Sequence, residues 1–203
     1  MLQFITHENE HYGYVDGARL ALLGGCRWIQ LRMKDATDEE VVAAAARIQP
    51  LCKHYHAIFI LDDRVELVDR VQADGVHLGK KDMPVDEARE LLGPDRIIGG
   101  TANTFDDVER LCRQGADYIG CGPFRFTTTK KNLSPVLGLD GYRQIIAKMK
   151  EKNLDIPVVA IGGILPEDVS DILSTGVEGI AISGGILNAD DPISKTAEFN
   201  NLL

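Results

Sequence analysis

Eight short apolar runs rich in β-branched residues recur along the chain with amphipathic stretches between them, and this alternation constrains the fold more than any other feature. The runs are Leu2–Thr6, Trp28–Arg32, Ala57–Leu61, Gly75–Leu78, Ile97–Thr101, Tyr118–Cys121, Pro157–Ile161 and Gly179–Ser183. Candidate helices lie between them at Ala18–Gly24, Asp38–Tyr55, Val65–Val71, Val85–Leu92, Phe105–Gln114, Leu139–Lys152 and Pro166–Ser174, with Ile193–Leu203 as the eighth. Such a pattern predicts a parallel sheet with crossover helices. Eight units in 203 residues fit the lower end of the size range of an α/β protein built as a single (β/α)8 TIM barrel. A doubly wound open sheet is the competing architecture.

Local signals support the helices. Thr37 stands before Asp38-Glu39-Glu40 as an N-cap with a glutamate three residues on, and Pro166 sits early in its helix. Gly24, Gly115 and Gly176 are placed to end helices. Similar sequences at 72–76, 114–119 and 175–180 are echoes of one helix-to-strand turn, not a solenoid repeat. No linker or low-complexity segment interrupts residues 1–203, so one domain is expected. A chain of this length buries roughly 70% of its unfolded surface without disulfides or structural metals.

Charge narrows the partners. A net charge of −9 argues against nonspecific attraction to nucleic acid or anionic lipid, while leaving room for a local basic cluster that captures a small anion. Cys26, Cys52, Cys112 and Cys121 are far apart and show no metal-ligand spacing, which fits reduced thiols. No stretch reaches the ~20 apolar residues of a membrane span. The N-terminal residues lack a basic region followed by an apolar run, so a cytoplasmic protein is expected. Homo-oligomerisation is left open.

In a barrel of this kind the C-terminal strand ends and following loops share one pocket, so distant motifs can converge there. Strand alternation puts Gln30, Arg32 and Lys34 on one side: an amide able to read a heterocycle and two cations able to neutralise a diphosphate, with a structural salt-bridge ladder as the alternative. Asp63 and Asp82, at adjacent strand ends, are candidates to share magnesium, which takes oxygen ligands and commonly one or two protein carboxylates. Asp62 and Asp63 could instead cap a helix. His77 reads as structural rather than as a base. Gly162-Gly163 and Gly184-Gly185 follow the last two strands, where backbone N–H groups can approach a phosphate. The run 127–131, ThrThrThrLysLys, lies in the longest irregular stretch and suits contact with a phosphorylated ligand.

Taken together, Gln30-x-Arg32-x-Lys34, AspArgValGluLeuVal at 63–68, GlyValHisLeuGly at 75–79, Asp82-Met83-Pro84, AlaAspTyrIleGly at 116–120, Gly122-Pro123, Thr127-x-Thr129-Lys130 and ValAlaIleGlyGlyIle at 159–164 resemble the thiamin phosphate synthase family, over nearly the whole chain. The resemblance implies that Gln30, Leu31, Arg32, Met33 and Lys34, with Asp62, Thr101 and Lys130, bind a pyrimidine diphosphate. By the same resemblance Thr127, Thr128, Thr129, Gly163, Ser183 and Gly184 meet a thiazole phosphate, and Asp63 and Asp82 hold Mg2+. Arg32, Lys34 and Lys130 would be catalytic, stabilising the diphosphate as it departs from the pyrimidine methylene. A thiazole tautomerase on a related barrel and a non-catalytic binder of thiamin precursors are the competing functions. Two departures from the family pattern stand out, Asp62 for asparagine and Lys80 for glutamine, and Lys80 is expected to offset the charge of Asp62.

Overall fold

In the computed structural model, which describes residues 1–126 and 135–203, eight strands pair in sequence order and all in parallel, and β8 closes on β1. They are β1 (Leu2–Ile5), β2 (Trp28–Leu31), β3 (Ile58–Asp62), β4 (Gly75–Leu78), β5 (Ile97–Ala102), β6 (Tyr118–Cys121), β7 (Val158–Ile161) and β8 (Gly179–Ile182). Closure selects the (β/α)8 barrel over the open sheet.

The helices are α1 (Tyr14–Leu23), α2 (Asp38–His54), α3 (Val85–Leu92), α4 (Phe105–Arg113), α5 (Gly138–Glu151), α6 (Val169–Ser174), α7 (Gly184–Leu187) and α8 (Pro192–Asn201). The Thr37 cap forms as the sequence predicts: its hydroxyl accepts from the Glu40 amide while the Glu40 carboxylate accepts from Thr37 N–H. Thr104 and Asp107 repeat the device on α4. Gly24 caps α1, and Gly115 and Gly176 follow α4 and α6 with positive φ.

Four expectations change. Val65–Val71 is not an α-helix: only the 3-10 turn Val65–Leu67 forms, and tight turns carry the chain to β4. The stretch is short and holds three β-branched valines, which disfavour helix. Pro166–Asp168 is likewise a 3-10 turn before α6, and α1 begins four residues ahead of its expected start. Helix α7 begins on the Gly184-Gly185 pair that the sequence suggests only as a turn.

Strand alternation divides the apolar residues into two cores. Leu31, Leu61, Val76, Ile98, Ile119 and Ile180 pack outward against the helices, whereas Ile5, Trp28, Ile60, Tyr118, Val159 and Ala181 fill the barrel. Two glycines make room for the larger rings inside. A Cβ on Gly99 would lie 2.1 Å from Cζ of Tyr118, and one on Gly120 would lie 2.9 Å from Cε1 of His77. Among the described residues no helix is long and apolar enough to cross a membrane.

Candidate active site

Above the barrel core, the C-terminal strand ends surround a cavity of about 340 Å³. Gln30, Arg32, Lys34, Asp62 and Asp63 line one arc, from the ends of β2 and β3. Gly162, Gly163, Ser183 and Gly184 line another, where the chain leaves β7 and β8. Register explains the first grouping, because Gln30 is the partner of Ile60 and so stands beside Asp62, two residues further along β3.

Asp62 is the hub of that arc. Its side chain is only 7% exposed, with Lys34 Nζ at 3.2 Å and Arg32 Nε at 3.5 Å from Oδ2. Oδ1 accepts from Gln30 Nε2 at 2.7 Å. The cations neutralise Asp62 without forming an aligned hydrogen bond to Oδ2, and Gln30 Oε1 is buried with no partner. Lys34 also pairs with Asp63. Burial opposes the charge on Lys34, but the Asp62 and Asp63 carboxylates outweigh it and hold the ammonium above its ordinary pKa.

Asp63 follows β3 with a positive φ of 66° and hydrogen-bonds the Asp82 side chain. Burial, that hydrogen bond and the charge of Asp62 push Asp63 up to about 7, against the pull of Lys34. Asp82 moves the opposite way: burial works against its ionisation, yet its bond to Asp63 and the Gly79 N–H, which donates to Oδ2 at 2.6 Å, hold it below the ordinary range. Two neighbouring carboxylates, one with a buried oxygen, Asp63 Oδ1, that accepts no hydrogen bond, suit a hard divalent cation that completes its shell from ligand phosphate and water. Among the described residues no group of three or more metal-ligating side chains gathers.

A polar chain crosses the barrel beneath the cavity. Gln3 Nε2 donates to the Tyr118 hydroxyl at 3.3 Å, Tyr118 lies 2.9 Å from His77 Nδ1, and His77 Nε2 lies 2.9 Å from Thr101 Oγ1. His77 is thus tied at both ring nitrogens, which suits positioning of Thr101 more than proton transfer.

The glycine arc is braced from outside. Gly162 and Gly163 have φ of 101° and 67°, which L side chains rarely adopt. Arg125 donates to the Gly163 carbonyl at 2.9 Å and grips Asp168 with two further bonds of 2.9 Å. Ser183 Oγ donates to the Ile5 carbonyl at 2.7 Å and stands 2.9 Å from His7 Nδ1. With its proton committed to Ile5, Ser183 can offer an anion its backbone but not its hydroxyl hydrogen. Burial, with the nearby Arg32 charge, holds His7 below its ordinary pKa despite a hydrogen bond with Asn188.

Of the residues suggested by sequence, Gln30, Arg32, Lys34, Asp62, Asp63, Thr101, Gly163, Ser183 and Gly184 surround this cavity. The side chains of Leu31 and Met33 do not: alternation buries Leu31 in the outer core and packs Met33 against it. Thr127, Thr128, Thr129 and Lys130 lie outside the described residues. The expected Lys80–Asp62 pairing is not what forms, because Lys80 Nζ sits 2.5 Å from Asp107 Oδ2 while Arg32 and Lys34 balance Asp62. Asn103 and Asn188 also line the cavity, and sequence reasoning missed both. Asn103 follows β5 and Asn188 caps the end of α7, each a lone amide with no local pattern to separate it from a turn asparagine.

The family model for thiamine monophosphate synthase matches residues 2–186. A protein of Phocaeicola vulgatus named thiamine-phosphate synthase is 65% identical over 201 residues, 99% of this chain and 97% of its own. Another so named, from Bacteroides thetaiotaomicron, is 62% identical over 99% of this chain and 96% of its own. Among solved structures, thiamine phosphate pyrophosphorylase from Pyrococcus furiosus superposes with a TM-score of 0.86 at 36% identity, covering 99% of this chain and 94% of that one.

Proposed function

The chain belongs to the thiamine monophosphate synthase family and is a transferase of thiamine biosynthesis that condenses a pyrimidine diphosphate with a thiazole phosphate; we propose here how its cavity performs that reaction. The substrates are 4-amino-2-methyl-5-(diphosphooxymethyl)pyrimidine and a thiazole ethyl phosphate, and the products are thiamin phosphate and diphosphate. The observation that carries the assignment of roles is the polarity of one cavity, with Arg32, Lys34 and Asp63 on one arc, Asp82 joined to it through Asp63, and glycine turns on another.

In this reading the pyrimidine lies against Gln30, and Thr101 meets its diphosphate. Arg32, Lys34 and Lys130 stabilise the negative charge that grows as the bond from the exocyclic methylene to diphosphate breaks. Thr127, Thr128 and Thr129 hold the thiazole, whose phosphate rests on backbone groups of Gly163, Ser183 and Gly184. The thiazole nitrogen then attacks the methylene. Both substrates are positioned rather than covalently activated, so no protein nucleophile is required. Asp63 and Asp82 would hold Mg2+, which supplies further neutralisation of the diphosphate. The reading is of a cytoplasmic enzyme working on small phosphorylated substrates, with neither nucleic acid nor membrane as a partner.

The test is diphosphate release with both substrates and magnesium present. Release that requires all three supports this account, whereas release without the thiazole phosphate, or none at all, defeats it.

A further inference from the structure

We infer that Asp62 is a specificity-determining residue acting through Gln30: it fixes the direction of the Gln30 amide, so that the cavity takes a pyrimidine with a hydrogen-bond donor at its 4-position and rejects one with a carbonyl there. This rests on the pyrimidine site proposed above and concerns how that site selects.

The two ends of a glutamine amide have nearly the same shape, and only their partners decide which end points where. At Gln30 the partner decides without ambiguity. Asp62 Oδ1 lies 2.7 Å from Nε2, and a carboxylate whose other oxygen faces Arg32 and Lys34 offers acceptors only. Turning the amide over would set Oε1 against Oδ1, two acceptors in a place where Gln30 is 2% exposed. Such a contact is costly because burial removes the water that would relieve it.

The consequence falls on the opposite end of the amide. Oε1 is buried and has no hydrogen-bond partner, on a residue that lines the cavity. A buried acceptor left unmatched is a penalty that a ligand N–H removes. An exocyclic amine supplies that N–H. A 4-oxo ring presents its own carbonyl instead, and the fixed amide cannot turn to meet it. Asparagine at 62, the residue of the family pattern, has both a donor and an acceptor, so the two amides can reverse together and serve either ligand. Aspartate makes the choice one-way.

The experiment compares equilibrium dissociation constants of the aminopyrimidine diphosphate and its 4-oxo analogue, with magnesium and without the thiazole phosphate, so that no transfer occurs. Wild-type protein is expected to prefer the amino compound by on the order of 10²-fold, the upper end of the penalty for leaving one buried hydrogen-bonding group unpaired. Asp62→Asn should reduce that preference about tenfold, from the smaller end of the same penalty. The change of charge at 62 acts on both diphosphates alike and cancels in the ratio. Asp62→Ser, whose hydroxyl can donate or accept, should also relax the preference. A wild type that binds both compounds equally overturns the inference before any variant is made, as does an unchanged ratio in a folded variant. If wild-type protein binds neither compound, the pyrimidine site itself is wrong. If it binds the amino compound and releases diphosphate on adding the thiazole, that reading stands and the ratio alone judges Asp62.

Discussion

The ammonium of Lys34 rests on the Asp63 carboxylate, the same group that shares a hydrogen bond with Asp82. A cation therefore already occupies the place where the proposed metal would add charge. Lys34 can serve a departing diphosphate only by giving up Asp63, and magnesium on Asp63 and Asp82 would release it to do so. Metal and lysine would then be successive occupants of one carboxylate.

Removing either carboxylate should separate metal use from folding. Asp63→Ala and Asp82→Ala are expected to raise the magnesium concentration needed for half-maximal turnover while leaving far-ultraviolet circular dichroism unchanged, since both residues lie after strands rather than in the core. Wild-type activity at limiting magnesium in either variant would remove that residue from the metal site.

The raised pKa of Asp63 has a defined sign. Its carboxyl ionises near 3.8 as a free side chain and near 7 in the fold, so the native state holds the proton more tightly. The resulting contribution to stability is full below about 4 and is lost as pH rises through about 7. In the presence of a chelator, wild-type protein should therefore lose more melting temperature between pH 5 and pH 8 than Asp63→Asn does. Magnesium must displace that proton, so its affinity for the free enzyme should fall as pH drops below about 7, measured by calorimetry in buffers of different ionisation enthalpy. Equal pH dependence of melting in the two proteins contradicts the assignment.

Lys130 is expected to act on the departing diphosphate more than on thiazole binding. Lys130→Ala should lower turnover at saturating substrates on the order of 10²-fold, typical of a lost electrostatic donor. A defect confined to the KM of the thiazole phosphate would assign it to the other substrate.

The chain through Tyr118 should matter for stability and for Thr101 together. Tyr118→Phe keeps the ring beside Trp28 but removes the hydroxyl that meets Gln3 and His77, taking from the buried Gln3 amide the acceptor of its hydrogen bond at a cost of about 1–3 kcal/mol. Urea denaturation measures that loss. If His77 sets the Thr101 hydroxyl, KM for the pyrimidine diphosphate also rises, and an unchanged KM limits the chain to a structural role.

The barrel was legible in the sequence because each strand pairs with its neighbour in order, so eight apolar runs map directly onto eight staves. The Val65–Val71 stretch misled because its apolar spacing imitates a helix while its few residues must also return the chain to β4. At the site, strand periodicity put Gln30, Arg32 and Lys34 together, and the same periodicity turns Leu31 away. Partner choice was less accessible. Lys80 lies close to Asp62 in neither register nor contact, and its bond to Asp107 joins the β4 and α4 connections across a distance in sequence that no local pattern reports.

Gly99 and Tyr118 occupy one volume from two strands, since the space a side chain would fill on β5 is already taken by the ring from β6. The two positions therefore amount to a single design choice for that layer of the barrel. Sequences sharing this fold should trade bulk between them, with a larger residue at 99 tolerated only beside a smaller one at 118. Such a swap would move the hydroxyl out of the layer as well, so a drift in packing size on the barrel axis would carry with it the loss of the His77 tether.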